Sequence, residues 1–186
     1  MSTDKLFVVT QNLNKIAEIQ QLIPTMQVDA IKDDVEETGC SFEENARIKV
    51  AACTPIQDAL IIADDSGLEV DALGGAPGIY SARYAGPGAS DIDLCSKLLA
   101  NMAEHSNRHA RFRCAIAVRF PDERIEICQG CVDGYIHHTM AGSAGFGYDS
   151  VFIPVGYTQT FAQLGTQVKH QISHRARALE AFLALL

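Results

Sequence analysis

No run of 18 or more apolar residues occurs in the 186-residue sequence, so no stretch is long enough to span a bilayer as a helix. The opening Met1-Ser2-Thr3-Asp4-Lys5 has no basic segment followed by an apolar core, which argues against a secretory signal and for a cytoplasmic protein without a membrane partner. Basic residues are scarce: 15 Lys and Arg stand against 23 Asp and Glu, for a formal net charge of -8 and a pI near 5.1. That balance argues against a partner gripped through many phosphates, such as a long nucleic acid. A small anion needs only a local basic pocket, and Lys15, Lys49, Arg83, Lys169, His174 and Arg175 are available for one. The Walker A pattern is absent, as is the dinucleotide fingerprint, so any nucleotide chemistry must use another phosphate cradle. The six cysteines do not read as a disulfide framework in a chain of this length. Cys128-Gln129-Gly130-Cys131 lacks a second pair at zinc spacing and sits in strand-like sequence, whereas redox pairs favour a helix start. Reduced, structural thiols are the expectation.

The hydrophobic content of 47% suffices for a sizeable core. Leu6 to Val9 reads as a strand, and Thr10 to Asn14 as the turn into a helix carrying Ile16, Ile19, Leu22 and Ile23 and stopped by Pro24. Val28 to Ile31 is a second strand. Ser41-Phe42-Glu43-Glu44 is a capping-box pattern that starts a helix ending before Pro55, and Ala59 to Ala63 forms the next strand. The first 65 residues thus read β-α-β-α-β, an α/β pattern whose ligands lie near strand carboxyl ends. Ser90 caps a third helix to Met102. Arg111 to Val118 and Ile125 to Ile136 form a hairpin around Pro121-Asp122-Glu123, adding antiparallel strands. Val151 to Ile153 is a short strand, and Ser173 caps a last helix with Ala176, Leu179, Phe182, Leu183 and Leu186 on its core face. The fold expected is one α/β domain over residues 1–186: a mixed β-sheet flanked by helices, bilobed with a central cleft.

Three groups of residues point to chemistry. The turn Thr10-Gln11-Asn12-Leu13-Asn14-Lys15 offers helix-start N–H groups, a hydroxyl, amides and a lysine, all donors for a polyphosphate. Glu36, Glu37, Asp64 and Asp65, with Lys49 between them, form an acidic set. Glu36 and Glu37 by themselves read as solvated loop charges, but Asp64-Asp65 at the end of a buried strand are costly without a cation. Magnesium suits such carboxylates, because it retains waters and completes its shell with substrate phosphates. The third group is Phe146-Gly147-Tyr148-Asp149, Lys169 and Ser173-His174-Arg175. It offers a ring to stack a base, a carboxylate to accept ring N–H groups, and donors for base-edge acceptors. His137-His138 is a poor metal pair, since neighbours on a strand point to opposite faces.

Thr10-x-Asn12-x-x-Lys15, Glu37-Thr38-Gly39, Phe42-x-x-Asn45-Ala46-x-x-Lys49, Ala63 to Leu68 with Gly74 to Tyr84, Phe146 to Asp149 and Ser173 to Arg175 occur in this order over nearly the whole chain. Together they resemble the inosine triphosphate pyrophosphatase (Ham1, or non-canonical purine nucleotide pyrophosphatase) family in its bacterial form. Two departures are visible: Gln11 where the family has glycine, and Ser150 where it has proline.

The resemblance implies an ITPase-like fold, a homodimer and Mg²⁺-dependent cleavage of ITP, dITP and XTP to the monophosphate and pyrophosphate. It implies that Asp65 orients or deprotonates the attacking water, that Glu37 and Asp65 hold the metal, and that Asp64 supports them. Lys15, Lys49, Lys169, Ser66 and residues Thr10 to Asn14 would hold the phosphates. His174 and Arg175 would bond the base, and Phe146 to Asp149 would stack and bound it. Other readings are a Maf-type pyrophosphatase acting on other nucleotides and a non-catalytic nucleotide sensor.

Overall fold

A computed structural model describes residues 5–33 and 35–186. Met1 to Asp4, which entered the argument on location, lie outside the described residues. A six-stranded mixed sheet runs in the order β2-β1-β3-β4-β5-β6. Its strands are β1 (Lys5–Val9), β2 (Gln27–Ile31), β3 (Leu60–Val70), β4 (His109–Arg119), β5 (Ile125–Ile136) and β6 (Phe152–Pro154). β1 pairs in parallel with β2 and β3, and β5 pairs antiparallel with β6. The helices are α1 (Leu13–Leu22), α2 (Phe42–Ala52), α3 (Asp91–Asn101), α4 (Phe161–Ile172) and α5 (His174–Leu183). Among the described residues no helix is long and apolar enough to cross a membrane.

The chain divides into two compact units. The first draws on Met1–Asp65, Cys114–Gly130 and Arg175–Leu186, and the second on Ser66–Arg113 and Cys131–His174. In the first, Leu6 and Val8 of β1, Leu60 and Ile62 of β3 and Ile116 and Val118 of β4 share one core with Ile19 and Ile23 of the α1 segment and Ala178, Leu179 and Phe182 of α5. In the second, Leu68 and Val70 of β3, Phe112 of β4 and Val132 of β5 pack with Leu94 and Leu98 of α3 and with Phe152 and Phe161.

The local signals act as their chemistry dictates. Asn12 caps α1 by accepting from the N–H groups of Asn14 and Lys15, and Ser90 and Asp93 form a complete capping box on α3. The box at α2 is shifted: Ser41 accepts from Glu44 N–H, but the Glu44 carboxylate accepts from Cys40 N–H at 2.6 Å, one residue earlier than expected. α4 is absent from the sequence reading. Thr160 and Gln163 cap it reciprocally, yet Gly165 at φ +81° breaks its helical period, which hides it from a periodicity argument.

Two expectations are corrected. β3 does not end at Ala63 but continues through Asp64-Asp65-Ser66-Gly67 to Val70, so the acidic pair lies inside the strand rather than at its terminus. The core stripe of α5 is Arg175, Ala178, Leu179 and Phe182, spaced i, i+3, i+4, i+7, while Leu183 and Leu186 are exposed. The true face contains an arginine, which a search for apolar residues passes over.

Cys128 is buried, Cys131 is half-buried, and burial pushes both thiols up, against a reactive role. Ser81 gives the glycine-rich stretch its task. Its hydroxyl donates to Gly78 O at 2.6 Å and accepts from Leu68 N–H at 2.9 Å, and its carbonyl accepts from Tyr148 Oη–H at 2.8 Å. The 3₁₀ turn over Gly78–Arg83 is thereby tied to β3 and to Tyr148.

Candidate functional site

Alternation along β3 sends Asp64 to the face shared with Leu60 and Ile62, where α1 and α5 lie, and Asp65 to the opposite face. Each carboxylate therefore meets a different set of partners. Asp64 is 1% exposed. Its Oδ1 lies 2.9 Å from Lys15 Nζ, and its Oδ2 accepts from Arg175 Nη2 and Nε at 2.8 and 3.2 Å. Arg175 also donates through Nη1 to Glu18 Oε2, on α1. Burial opposes ionisation of Asp64, but Lys15, Arg175 and Lys49 outweigh it and hold this carboxyl well below the usual range.

Asp65 faces α2. Its Oδ2 accepts from Asn45 Nδ2 at 3.0 Å, and its Oδ1 is 3.8 Å from Lys49 Nζ. Lys49 Nζ also donates to Glu37 Oε1 at 2.9 Å and to the Asp64 carbonyl at 2.7 Å. Asn45 and Lys49 are four residues apart, so one face of α2 delivers a neutral donor and a cationic one. Burial raises the Asp65 pKa; Lys49 and Lys15 pull it down, Glu37 pushes it up, and the net direction is upward. For Lys49, burial is overcome by Asp65, Asp64 and Glu37, and its pKa rises. The two adjacent aspartates are thus driven in opposite directions.

In this network Lys15, Lys49 and Arg175 face Glu18, Glu37, Asp64 and Asp65. No group of three or more metal-ligating side chains occurs among the described residues. Glu37 and Asp65, both turned to one ammonium, match the one or two carboxylates that Mg²⁺ takes alongside waters and phosphates. Carboxylate oxygens of this kind are what a hard divalent cation takes, so the donor set fits.

Gln11, Asn12, Leu13 and Asn14 are exposed at the start of α1, and Thr10 is half-buried. The Thr10 hydroxyl accepts from Asn12 N–H at 3.1 Å, while Asn12 Oδ1 accepts from Asn14 and Lys15 N–H at 3.0 and 3.3 Å. Those helix-start donors are engaged by the turn's own side chains. The only described non-glycine residues at positive φ are Asp58 and Glu123, so Gln11 takes a conformation open to any residue.

The second unit gathers the C-terminal motifs. Asp149 Oδ2 accepts from Lys169 Nζ at 2.6 Å and from Phe146 N–H at 2.9 Å, and Lys169 Nζ stands 4.4 Å from the centroid of the half-buried Phe146 ring. Lys169, expected among the phosphate ligands, is here engaged by Asp149 and Phe146. His174, 4% exposed, stacks on Phe112 at 4.7 Å with 11° between ring planes. Tyr148 is buried, Gly147 adopts φ +61°, and Ser66 is half-buried on β3. Ser150 Oγ lies 3.5 Å from Cys95 Sγ.

Arg175 meets carboxylates of the first unit. Only 1% exposed, it donates through Nε and Nη2 to Asp64 and through Nη1 to Glu18. Adjacent residues at a helix start project about 100° apart, so one motif serves two environments. Glu18, Asn45 and Phe112 were missed as site residues. Glu18 is a lone acid on an amphipathic helix and carries no local signal. Asn45 lies in a quoted motif, and its position four residues before Lys49 was the available clue.

The Ham1 family model matches residues 6–185. A dITP/XTP pyrophosphatase of Bacillus licheniformis is 41% identical over 191 residues, covering 98% of this chain and 97% of the relative. The solved structure of the Staphylococcus aureus Ham1 protein superposes with a TM-score of 0.87 at 41% identity, covering 97% of each chain. A HAM1 protein from Coxiella burnetii gives 0.85 at 37% identity, again over 97% of each. The chain belongs to the Ham1 family.

Proposed function

We propose that this protein is a Mg²⁺-dependent pyrophosphohydrolase that converts ITP, dITP and XTP to the monophosphate and pyrophosphate. The relatives' names support the reaction class. The observation that carries it is the division of labour between neighbouring aspartates: Asp64 is neutralised by Lys15 and Arg175, whereas Asp65 is buried, raised in pKa and turned, like Glu37, toward Lys49. Asp65 is the group suited to orient or deprotonate the attacking water. Glu37 and Asp65 would hold the Mg²⁺, which when bound supplies positive charge against the phosphate oxygens. Lys15, Lys49, Ser66 and the exposed turn Thr10 to Asn14 hold the phosphates, the turn exchanging its internal bonds for bonds to the ligand.

Base recognition falls to the second unit's residues. Phe146 stacks the base, and His174, held parallel to Phe112, donates to the 6-oxo group that hypoxanthine and xanthine carry and adenine lacks. Asp149, with Gly147 and Tyr148 beside it, bounds the purine edge, and Lys169 is assigned to this group through Asp149. Arg175 is assigned to keeping Asp64 ionised. The reading takes residues 1–186 as one functional domain, acting as a cytoplasmic homodimer without membrane or long nucleic acid partners. Incubation with Mg²⁺ and a nucleotide panel, with products resolved, tests it. Pyrophosphate from ITP, dITP and XTP, with ATP far slower, is expected; orthophosphate release, or equal turnover of ATP and ITP, overturns it.

A further inference from the structure

Two buried polar residues stand one turn apart on α2, and only Lys49 has a role in the reaction above. The other, Asn45, is completely buried. Its Oδ1 accepts from Gly39 N–H at 2.8 Å and its Nδ2 donates to Asp65 Oδ2 at 3.0 Å. A backbone N–H only donates, so the oxygen end of the amide must face Gly39 and the NH₂ end must face Asp65. The approach is close: a Cβ at Gly39 would lie 2.7 Å from Asn45 Oδ1 and 2.7 Å from Glu44 Cβ, so only glycine fits there. Gly39 follows Glu37 by two residues. One amide therefore joins the loop bearing one candidate metal carboxylate to the side chain of the other.

We propose that Asn45 is a positioning residue that fixes the Asp65 carboxylate relative to the Glu37 loop, occupying Oδ2 so that Oδ1 is turned to the reacting water. This rests on Asp65 being the catalytic carboxylate. Asn45→Ala should lower kcat for ITP roughly 10- to 100-fold while KM stays within about threefold. Asn45→Asp keeps the shape and the acceptor toward Gly39 but presents no amide donor to Asp65, and it should lose a comparable factor with a native circular dichroism spectrum. Full activity in Asn45→Asp, or a loss expressed in KM alone, overturns the proposal. Urea unfolding of Asn45→Ala, Asp65→Ala and the double variant should be non-additive, and additivity also overturns it. That cycle needs no substrate, so it judges the Asn45–Asp65 link even where the nucleotide panel rejects pyrophosphohydrolysis. Turnover of ITP with an additive cycle and unchanged kcat refutes this inference alone.

Discussion

Replacing Arg175 by methionine keeps much of the side-chain volume and removes the guanidinium shared by Asp64 and Glu18. The wild-type contacts are two N–H bonds to Asp64, at 2.8 and 3.2 Å, and one to Glu18, with arginine and both carboxylates 6% exposed or less. Removing one partner of a buried ion pair costs about 3–5 kcal/mol, because the remaining charges keep their burial and lose compensation. That is a large part of the roughly 5–15 kcal/mol that holds a typical domain. For a chain of this size it corresponds to a Tm decrease of about 6–20 °C.

The pH dependence gives the sharper test. In the wild type the depressed Asp64 pKa contributes stability that is present above the unfolded value, near about 3.9, and lost as pH falls below it. Urea unfolding of both proteins should therefore show the full deficit at about pH 7.5, most of it still near pH 4, and a deficit that narrows as pH falls from about 4 toward 2. Arg175→Lys should fall between, since one ammonium cannot reproduce the planar fork. A deficit under about 1 kcal/mol at neutral pH, or one that does not narrow below about pH 4, would refute the assignment.

Asp65→Asn should reduce ITP turnover by roughly 10²- to 10⁴-fold while leaving Tm and nucleotide binding near wild type, as read by pyrophosphate release and calorimetry. Surviving activity would remove Asp65 from its role. Chelation should abolish turnover and added Mg²⁺ restore it, whereas undiminished rates in chelator would count against the Glu37 and Asp65 metal assignment. Phe146→Ala should weaken ITP binding by about 1–3 kcal/mol, roughly 5- to 150-fold, through loss of base stacking. An unchanged KM for ITP would place the base elsewhere.

Short-range chemistry made most of the elements legible. Ser41 and Ser90 each cap the helix they were expected to start, the cap of α1 is Asn12 within the expected turn, and Pro121 to Glu123 turns the β4–β5 hairpin. The failures have physical causes. Asp64-Asp65-Ser66-Gly67 carries the composition of a strand end, but counter-charges from other elements let β3 pass straight through it. Gly165 conceals α4 despite its capping box. Within the site, Glu37, Lys49 and Asp65 were legible from the motifs and do meet around one ammonium. The employment of Arg175 and Lys169 was not, because both are decided by the acid that each one meets in the folded chain.

The sequence by itself determined that Asn45 and Lys49 share a face, since helical positions four apart do, whereas Asp64 and Asp65 point opposite ways because β3 continues through them, which the sequence reading did not place there. Only the tertiary structure decided what each aspartate faces: Arg175 lies 111 residues from Asp64 and 157 from Glu18 along the chain. Whether a buried carboxylate is neutralised or left with a raised pKa depends on which cation packing brings within about 4 Å, where charges interact strongly. No local pattern encodes that distance. It arises when α1 and α5 pack on one face of β3 and α2 on the other.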